Sequence, residues 1–207
     1  MGRCVIVGGA GIDRYDRVLD AFLKDDYYIF CDSGLKHRDR LKVTPNLIVG
    51  DFDSYDKPLD TDVEIITLPR EKDDTDTVYA VKEALNRGFD DFLLVGCIGG
   101  RLDHTLANVA ILKMLDMNKA KGVIIDDYSE LELLRDEIKR VPDTFSYFSL
   151  INIYGNAKGI TIKNAQYPLD NAEITTDYQY GVSNEVVKGS EALVSVDDGE
   201  ILLIKVF

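Results

Sequence analysis

Short apolar runs alternate with amphipathic stretches over the first 126 residues. Six of these runs predict buried strands, at residues 4–7, 28–31, 47–49, 63–67, 92–95 and 123–125. Between them, apolar side chains at helical spacing predict helices at residues 13–24, 75–86 and 102–117. Strands that alternate with helices are typical of a parallel sheet covered by crossover helices. The pattern therefore predicts a three-layer α/β domain at residues 1–126.

Beyond residue 126 the helical spacing gives way to short alternating runs. They predict strands at residues 131–134, 147–153, 159–162, 185–187, 192–196 and 201–206. Turn-forming residues such as glycine, asparagine and aspartate separate several of these runs. We therefore expect a second, all-β domain at residues 127–207, folded as a small sandwich.

The composition is that of a globular protein with an acidic surface. The 207 residues are 45% hydrophobic and can bury one good core or divide into two small domains. The net charge of -13 argues against nucleic acid or an anionic membrane as the main partner, because binding a phosphate backbone requires clustered Lys and Arg. No run approaches the roughly 20 apolar residues that cross a bilayer, and no signal-peptide pattern precedes the first strand. We expect a cytoplasmic protein.

Three segments rich in carboxylates each lie just beyond an apolar run. They are Gly-Asp-Phe-Asp-Ser at 50–54, Lys-Asp-Asp-Thr-Asp at 72–76 and Gly-Gly-Arg-Leu-Asp-His at 99–104. Ligands of open parallel sheets bind beyond the carboxyl ends of the strands. Two carboxylates about 4 Å apart repel by roughly 4 kcal/mol at an effective dielectric near 20, so converging acids need a cation. A Mg²⁺ ion that carries a polyphosphate would supply it.

The first two segments also have purely structural interpretations. Asp51 and Asp53 point to one side if the strand continues through Phe52, which suits Mg²⁺, but the same residues are found in solvated turns. Asp73 and Asp76 stand at the start of a predicted helix, where carboxylates cap free N–H groups. Lys72, beside them, supplies a positive charge for a phosphate.

Two glycine-containing loops are candidates for binding the nucleotide. Gly9 and Gly11 follow the first strand and precede a helix, so their backbone N–H groups could face a phosphate, although packing alone also favours glycine there. Asp32, at the end of the second strand, occupies the place of the ribose-binding acid of a dinucleotide site.

The third acidic segment opens the helix at 102–117. Gly99 and Gly100 form its loop, Arg101 can bind phosphate oxygens through its forked guanidinium, and Asp103 can reach a metal or a nucleophile. A glycine loop with an aspartate cap is the structural alternative.

In their order and spacing, the three acidic segments, followed by Gly-Val-Ser-Asn-Glu at 181–185, resemble the thiamine pyrophosphokinase family. The resemblance spans both predicted domains. It implies transfer of the terminal pyrophosphate of ATP to the hydroxyl of thiamine, which gives thiamine diphosphate and AMP and requires Mg²⁺. Such chemistry depends on positioning and on charge neutralisation, which acids, a metal and an arginine supply.

The resemblance also implies a role for individual acids. Asp51, Asp53 and Asp76 would hold Mg²⁺, and Asp73 would support their loop. Arg101 and Asp103 would address the phosphates and the reacting hydroxyl. Which acid acts as the base stays open.

For thiamine, the resemblance implies Ser183 and Asn184 as binding residues. Tyr167 resembles the position of an aromatic side chain that stacks on the thiamine ring, although it could equally pack on the sandwich. The resemblance further implies a homodimer, in which thiamine lies between the nucleotide domain of one subunit and the β domain of the other.

Two other functions fit the acidic segments. One is a phosphatase in which Asp51 is a covalent nucleophile, since Asp-Phe-Asp-Ser after a strand resembles an aspartyl-phosphate loop. The other is a non-catalytic sensor of nucleotides or divalent cations, which would bind ATP without turning it over.

Overall fold

The computed structural model describes residues 2–52, 62–71, 73–155 and 157–207. Two residues of the predicted site, Asp53 and Lys72, lie outside the described residues. The chain divides into two compact units, Met1–Asp127 and Tyr128–Phe207. Within the described ranges, no helix is long and apolar enough to cross a membrane.

The first unit contains a sheet of parallel strands. Its strands are β1 (Cys4–Val7), β2 (Tyr27–Cys31), β3 (Leu47–Gly50), β4 (Glu64–Thr67), β5 (Asp91–Val95) and β6 (Lys121–Ile125). They lie in the order β4-β3-β2-β1-β5-β6. In the centre of the sheet, Val7 pairs with Phe30 on one side and with Val95 on the other. Every residue of β1 and β3 is buried, as is typical of the continuous apolar strands of parallel sheets.

The helices of this unit agree with the prediction where the apolar period is long. They are α1 (Tyr15–Asp20), a 3-10 helix (Asp32–His37), α2 (Arg38–Leu41), α3 (Asp76–Asn86) and α4 (Leu102–Met117). Helix α3 ends just before Gly88, whose φ is 91°. The helix predicted at 13–24 is wrong beyond Asp20. Leu23 is 58% exposed there, so its side chain contributes little packing that would stabilise a further helical turn.

The second unit is built from antiparallel strands. They are β7 (Ser129–Leu134), β8 (Ile138–Pro142), β9 (Tyr147–Ile151), β10 (Ala157–Lys163), β11 (Leu169–Ile174), β12 (Glu191–Ser195) and β13 (Ile201–Val206). Within this unit β13 pairs with β7 and β9, and the other strands form a sheet in the order β11-β10-β12-β8. Both groups of strands contribute to one apolar core, which includes Phe148, Leu150, Ile160, Val194 and Leu203.

The strand predicted at 185–187 is wrong. Only an isolated bridge between Ala165 and Val186 is found there. Val186 packs partly buried against the apolar core, but Val187 is half exposed, so a single apolar side chain holds this run against its neighbour.

Candidate active site

Three aspartates from different parts of the first unit converge at the carboxyl edge of its sheet. Asp32 follows β2, Asp51 follows β3, and Asp76 is the first residue of α3. One carboxylate oxygen from each lies within 4.8 Å of those of the other two. Because β2 and β3 are neighbouring parallel strands, their carboxyl ends bring Asp32 and Asp51 side by side. We call these three residues the acid cluster.

The last residue of β3 allows this close approach. A Cβ atom on Gly50 would lie 2.9 Å from the Cβ atom of Asp32, so any side chain there would displace the aspartate. Asp32 is buried, and the Oδ1 atoms of both Asp32 and Asp76 are shielded from solvent. Three carboxylates at such distances repel one another strongly unless a cation lies among them. Their oxygen atoms are the ligands that Mg²⁺ prefers, so the acid cluster fits a magnesium ion.

Asp51 is the first residue after strand β3 and joins the acid cluster from just beyond the end of that strand. Strand β3 ends at Gly50, and Phe52 has a left-handed backbone with φ 57°. The extended strand that would point Asp51 and Asp53 to one side therefore does not continue through Phe52, and Asp53 itself lies outside the described residues.

The cap of α3 is Thr75 and neither of the two predicted aspartates. Its side-chain oxygen accepts a hydrogen bond from the N–H of Val78 at 3.3 Å. The interpretation of Asp73 and Asp76 as caps is thus wrong. Asp76 instead joins the acid cluster from the first turn of α3, where the helix dipole favours negative charge. Among the described residues, Asp73 is not part of this cluster.

A cavity of about 680 Å³ opens over the acid cluster. Several sequence-predicted residues line it together with the cluster, namely Gly9, Gly11, Gly99, Gly100 and Arg101. Lys36 and Arg70 also line it and were not predicted from the sequence. Their positions in the sequence could have indicated them, since Arg70 stands just before the second acidic segment and Lys36 follows the second strand. The cavity thus combines an acidic floor with cationic walls.

Arg101 and Asp103 form an exposed ion pair at the start of α4. The guanidinium donates to the Asp103 carboxylate at 2.6 and 3.2 Å. The hydrogen bond from Arg101 lowers the pKa of Asp103 to about 2, so the carboxylate is ionised at neutral pH. Within the part of the chain that the structure describes, Arg101 lines the cavity and Asp103 does not. Asp103 therefore holds the arginine at the cavity rim.

Two cysteines also line the cavity. Cys31 and Cys97 are buried, and burial raises the pKa of both thiols, that of Cys97 to about 12. Because only the thiolate is a good nucleophile, neither side chain is suited to covalent catalysis.

A second cavity of about 450 Å³ lies in the second unit. Tyr167, Ser183 and Asn184 line it, together with Tyr180 and Val182. Tyr167 is 60% exposed, and Ser183 has a left-handed backbone with φ 57°. Asn184 is buried: its Oδ1 accepts from the N–H of Tyr167 at 3.0 Å, and its Nδ2 donates to the Tyr167 carbonyl at 2.8 Å. The three predicted residues therefore meet at one cavity, where Asn184 fixes the backbone that carries the aromatic ring.

Comparison with known families accounts for both units. The family model described as thiamin pyrophosphokinase, catalytic domain, matches residues 18–124. The model described as thiamin pyrophosphokinase, vitamin B1 binding domain, matches residues 135–201. The chain belongs to the thiamin pyrophosphokinase family. The catalytic-domain match contains the acid cluster, and the vitamin B1 binding match contains the second cavity.

Other members of the thiamin pyrophosphokinase family share both sequence and fold with this chain. The thiamine pyrophosphokinase of Bacillus subtilis (strain 168) is 28% identical over 176 residues, which cover 79% of each chain. A crystal structure of the B. subtilis thiamine pyrophosphokinase has a TM-score of 0.84 at 23% identity and covers 99% of each chain. That of the Geobacillus thermodenitrificans thiamin pyrophosphokinase has a TM-score of 0.84 at 25% identity, covering 100% of this chain and 98% of the other. The predicted fold class, an α/β unit followed by an antiparallel β unit, is confirmed.

Proposed function

We propose that this chain is a thiamine pyrophosphokinase, which transfers the terminal pyrophosphate of ATP to the hydroxyl of thiamine. The products are thiamine diphosphate and AMP. The observation that carries the proposal is the convergence of three carboxylates within 4.8 Å in the unit matched by the family's catalytic domain. An acidic site of this kind beside cationic side chains is suited to a metal-bound polyphosphate.

The acid cluster would hold Mg²⁺. Asp51 and Asp76 would be ligands, as the resemblance implies, and Asp32, whose oxygen lies with theirs, would be a third ligand. Asp53 would complete the set, and Asp73 would support the same loop. Bound Mg²⁺ would neutralise the charge of the phosphate oxygens.

The phosphates would be bound by the cationic walls and the glycine loops of the same cavity. Arg101, oriented by Asp103, offers a forked donor for phosphate oxygens, and Lys36 and Arg70 offer further positive charge. Lys72 and the backbone of the loops at Gly9, Gly11, Gly99 and Gly100 would complete the phosphate contacts.

The reaction forms one bond and breaks another at the β-phosphorus of ATP. The thiamine hydroxyl gives up its proton to a base and from there to solvent as its oxygen attacks that phosphorus. The bond from the β-phosphorus to the oxygen bridging the α-phosphorus breaks. AMP leaves with the bridging oxygen. The residues of the cavity contribute by aligning the two reactants and by screening charge, which is the main requirement of phosphoryl-type transfer.

The second cavity would bind thiamine. Tyr167 offers an exposed ring for stacking on the cationic thiazolium, an interaction of about 0.5 to 2 kcal/mol. Ser183 would contact the substrate directly, and Asn184 would contribute by fixing the backbone of Tyr167.

We further propose that the protein is a homodimer with shared active sites. The surface of α4 supports this proposal. Leu102, Leu106 and Met117 are 71%, 61% and 73% exposed, while Ile111 and Leu112 of the same helix are buried. A helix that is apolar on both faces is typical of one that packs on both, and a second copy of the chain would cover the exposed face.

Product analysis tests the proposed reaction. The purified protein is incubated with thiamine, ATP and Mg²⁺, and nucleotides and thiamine esters are separated by chromatography. We expect AMP and thiamine diphosphate in equal amounts, with neither formed without thiamine or with excess chelator. Release of ADP, or of inorganic phosphate without thiamine, would contradict the proposal and favour a kinase or phosphatase.

A further inference from the structure

The glycine loop, which we define as residues 8–11, is fixed from two sides. On one side, the N–H groups of Gly8 and Ala10 donate to the carbonyls of Val95 and Gly96, each at 2.8 Å. On the other side, side chains of the 3-10 helix reach the loop's own carbonyl groups. Within the described residues, the N–H groups of Gly9 and Gly11 make no such bond. These two groups are therefore the backbone donors that the loop can offer to a ligand in the cavity.

The side chains that reach the loop are Lys36 and His37. Lys36 Nζ donates to the carbonyl of Gly9, and His37 Nε2 lies 2.7 Å from the carbonyl of Ala10. Two consecutive carbonyls are thus turned toward the 3-10 helix. Because a peptide plane is rigid, this fixes the direction of the N–H groups that follow each carbonyl, those of Ala10 and Gly11.

The hydrogen bonds of His37 determine its tautomer. A carbonyl only accepts, so Nε2 must carry the proton that is donated to Ala10. In the neutral ring Nδ1 is then an acceptor, and the hydroxyl of Tyr15 donates to it at 2.5 Å. His37 and Tyr15 are 3% and 8% exposed. Burial lowers the pKa of His37, which favours the same neutral form.

Tyr15 is itself held from a third element. The guanidinium carbon of Arg40, on α2, lies 3.9 Å from the centre of the Tyr15 ring. The carboxylate of Asp127 accepts from the N–H groups of Asp13 and Arg14 at 2.9 and 2.8 Å and so fixes the chain just before α1. Arg40 thus holds the Tyr15 ring, Tyr15 holds the His37 imidazole, and His37 holds the carbonyl of Ala10.

We infer that His37, held by Tyr15, is a positioning residue for ATP that keeps the glycine loop in its phosphate-binding conformation. The inference rests on the proposed function in so far as the cavity binds ATP. His37 touches no reacting atom. It acts through the peptide between Ala10 and Gly11, whose N–H group would otherwise be free to turn away from the cavity.

The test compares variants of two buried hydrogen-bonded groups. His37→Leu removes the donor to Ala10, and His37→Gln returns an N–H donor of similar reach. Tyr15→Phe removes only the hydroxyl that holds the imidazole. Tyr27→Phe is the matched control, because it removes a hydroxyl that accepts from Arg87 at 3.1 Å, away from the cavity-lining residues.

We measure KM for ATP, KM for thiamine, kcat and the thermal midpoint of each variant. We also measure the dissociation constant of α,β-methylene-ATP with Mg²⁺, since this analogue cannot donate pyrophosphate. His37→Leu should raise KM for ATP and the dissociation constant of the analogue by about 5-fold or more, the usual effect of one lost hydrogen bond. KM for thiamine and kcat should stay within about twofold. His37→Gln should restore most of the affinity, Tyr15→Phe should lose part of it, and Tyr27→Phe should match the wild type.

Unchanged analogue binding in His37→Leu would overturn the inference, as would equal losses in Tyr15→Phe and Tyr27→Phe. If His37→Leu does not fold, Tyr15→Phe decides alone, and wild-type affinity in it overturns the inference. If the wild type binds the analogue but forms no thiamine diphosphate, the proposed reaction fails while the affinity comparison still tests His37. If the wild type forms thiamine diphosphate but does not bind the analogue, KM for ATP decides, and an unchanged KM for ATP in His37→Leu overturns the inference. A wild type that neither binds the analogue nor forms thiamine diphosphate overturns both the inference and the proposed reaction.

Discussion

At the scale of single residues, each aspartate of the acid cluster has two opposite effects. It provides a metal ligand, and without the metal it repels the other two carboxylates. Replacing Asp51 by Asn removes one charge and one carboxylate ligand without changing the size of the side chain. Losing a residue that only supports a metal ligand lowers activity by about 10-fold or more. Because Asp51 is proposed as a ligand itself, we expect kcat/KM for thiamine diphosphate formation to fall at least about 10-fold. In metal-free protein the thermal midpoint should stay level or rise, because the remaining carboxylates repel each other less.

Asp20→Asn is the control for this prediction, since Asp20 is an exposed acid on α1 and does not line the cavity. It should leave both kcat/KM and the thermal midpoint unchanged. Full activity of Asp51→Asn would show that Asp51 is not a ligand. A loss of folded signal in Asp51→Asn would assign it a structural role instead.

The residues of the acid cluster also show what a sequence reveals about a site. Asp51 and Asp76 could be predicted, because each lies in a short acidic segment next to an apolar run. Asp32 stands alone after its strand, at a position that resembles the ribose-binding acid of a dinucleotide site. Its contact with Asp51 depends on β2 and β3 being neighbours, which local sequence does not show. Gly50 can be read from the sequence, but its closeness to Asp32 follows only from that pairing.

At the scale of elements, the structure identifies Thr75 as the side chain that caps and stabilises α3. Thr75→Ala removes the side-chain oxygen that accepts from Val78, so we expect the free energy of unfolding to fall by about 1 kcal/mol. Thr75→Ser keeps the hydroxyl and should retain most of the stability. Asp73→Ala should not destabilise α3, because Asp73 is not its cap.

Urea titration, monitored by circular dichroism, measures the free energy of unfolding of each variant. Equal stability of Thr75→Ala and wild type would contradict the assignment of the cap. A larger loss in Asp73→Ala than in Thr75→Ala would return the capping role to the aspartate.

The elements that the sequence predicted well are those with a long or fully apolar pattern. Helix α4 and strands β1 and β13 are found where they were expected. Strands β8 and β11 were not predicted, because Lys139 and Arg140 interrupt the first and Asp170 and Asn171 interrupt the second. Each is an edge strand with a single neighbour in its sheet, where polar side chains can remain in contact with solvent. Such strands therefore need no regular alternation of apolar residues.

The short 3-10 helix at Asp32–His37 was also not predicted. It begins directly at the end of β2 and contains one buried apolar side chain, Leu35, which is too little for a helical period. Its polar residues nevertheless supply Asp32 to the acid cluster and two contacts to the glycine loop. A segment without a hydrophobic pattern therefore carries several of the contacts that shape the cavity.

At the scale of the whole molecule, the exposed apolar face of α4 provides a test of the proposed homodimer. Leu106→Glu places a charge on this face, where burial against a second copy would be costly. We expect wild type to sediment as a dimer, at twice the chain mass of 23.2 kDa, and Leu106→Glu to sediment at 23.2 kDa. Because the proposed sites are shared between subunits, the variant should lose thiamine diphosphate formation while it still binds α,β-methylene-ATP.

Leu23→Glu is the matched control, since Leu23 is 58% exposed and lies outside α4. It should remain dimeric and active, which separates the effect of the α4 face from that of an added charge. A monomeric wild type would contradict the proposed dimer. A dimeric Leu106→Glu variant with full activity would place the interface elsewhere, and a monomeric variant with full activity would show that each chain completes its own site.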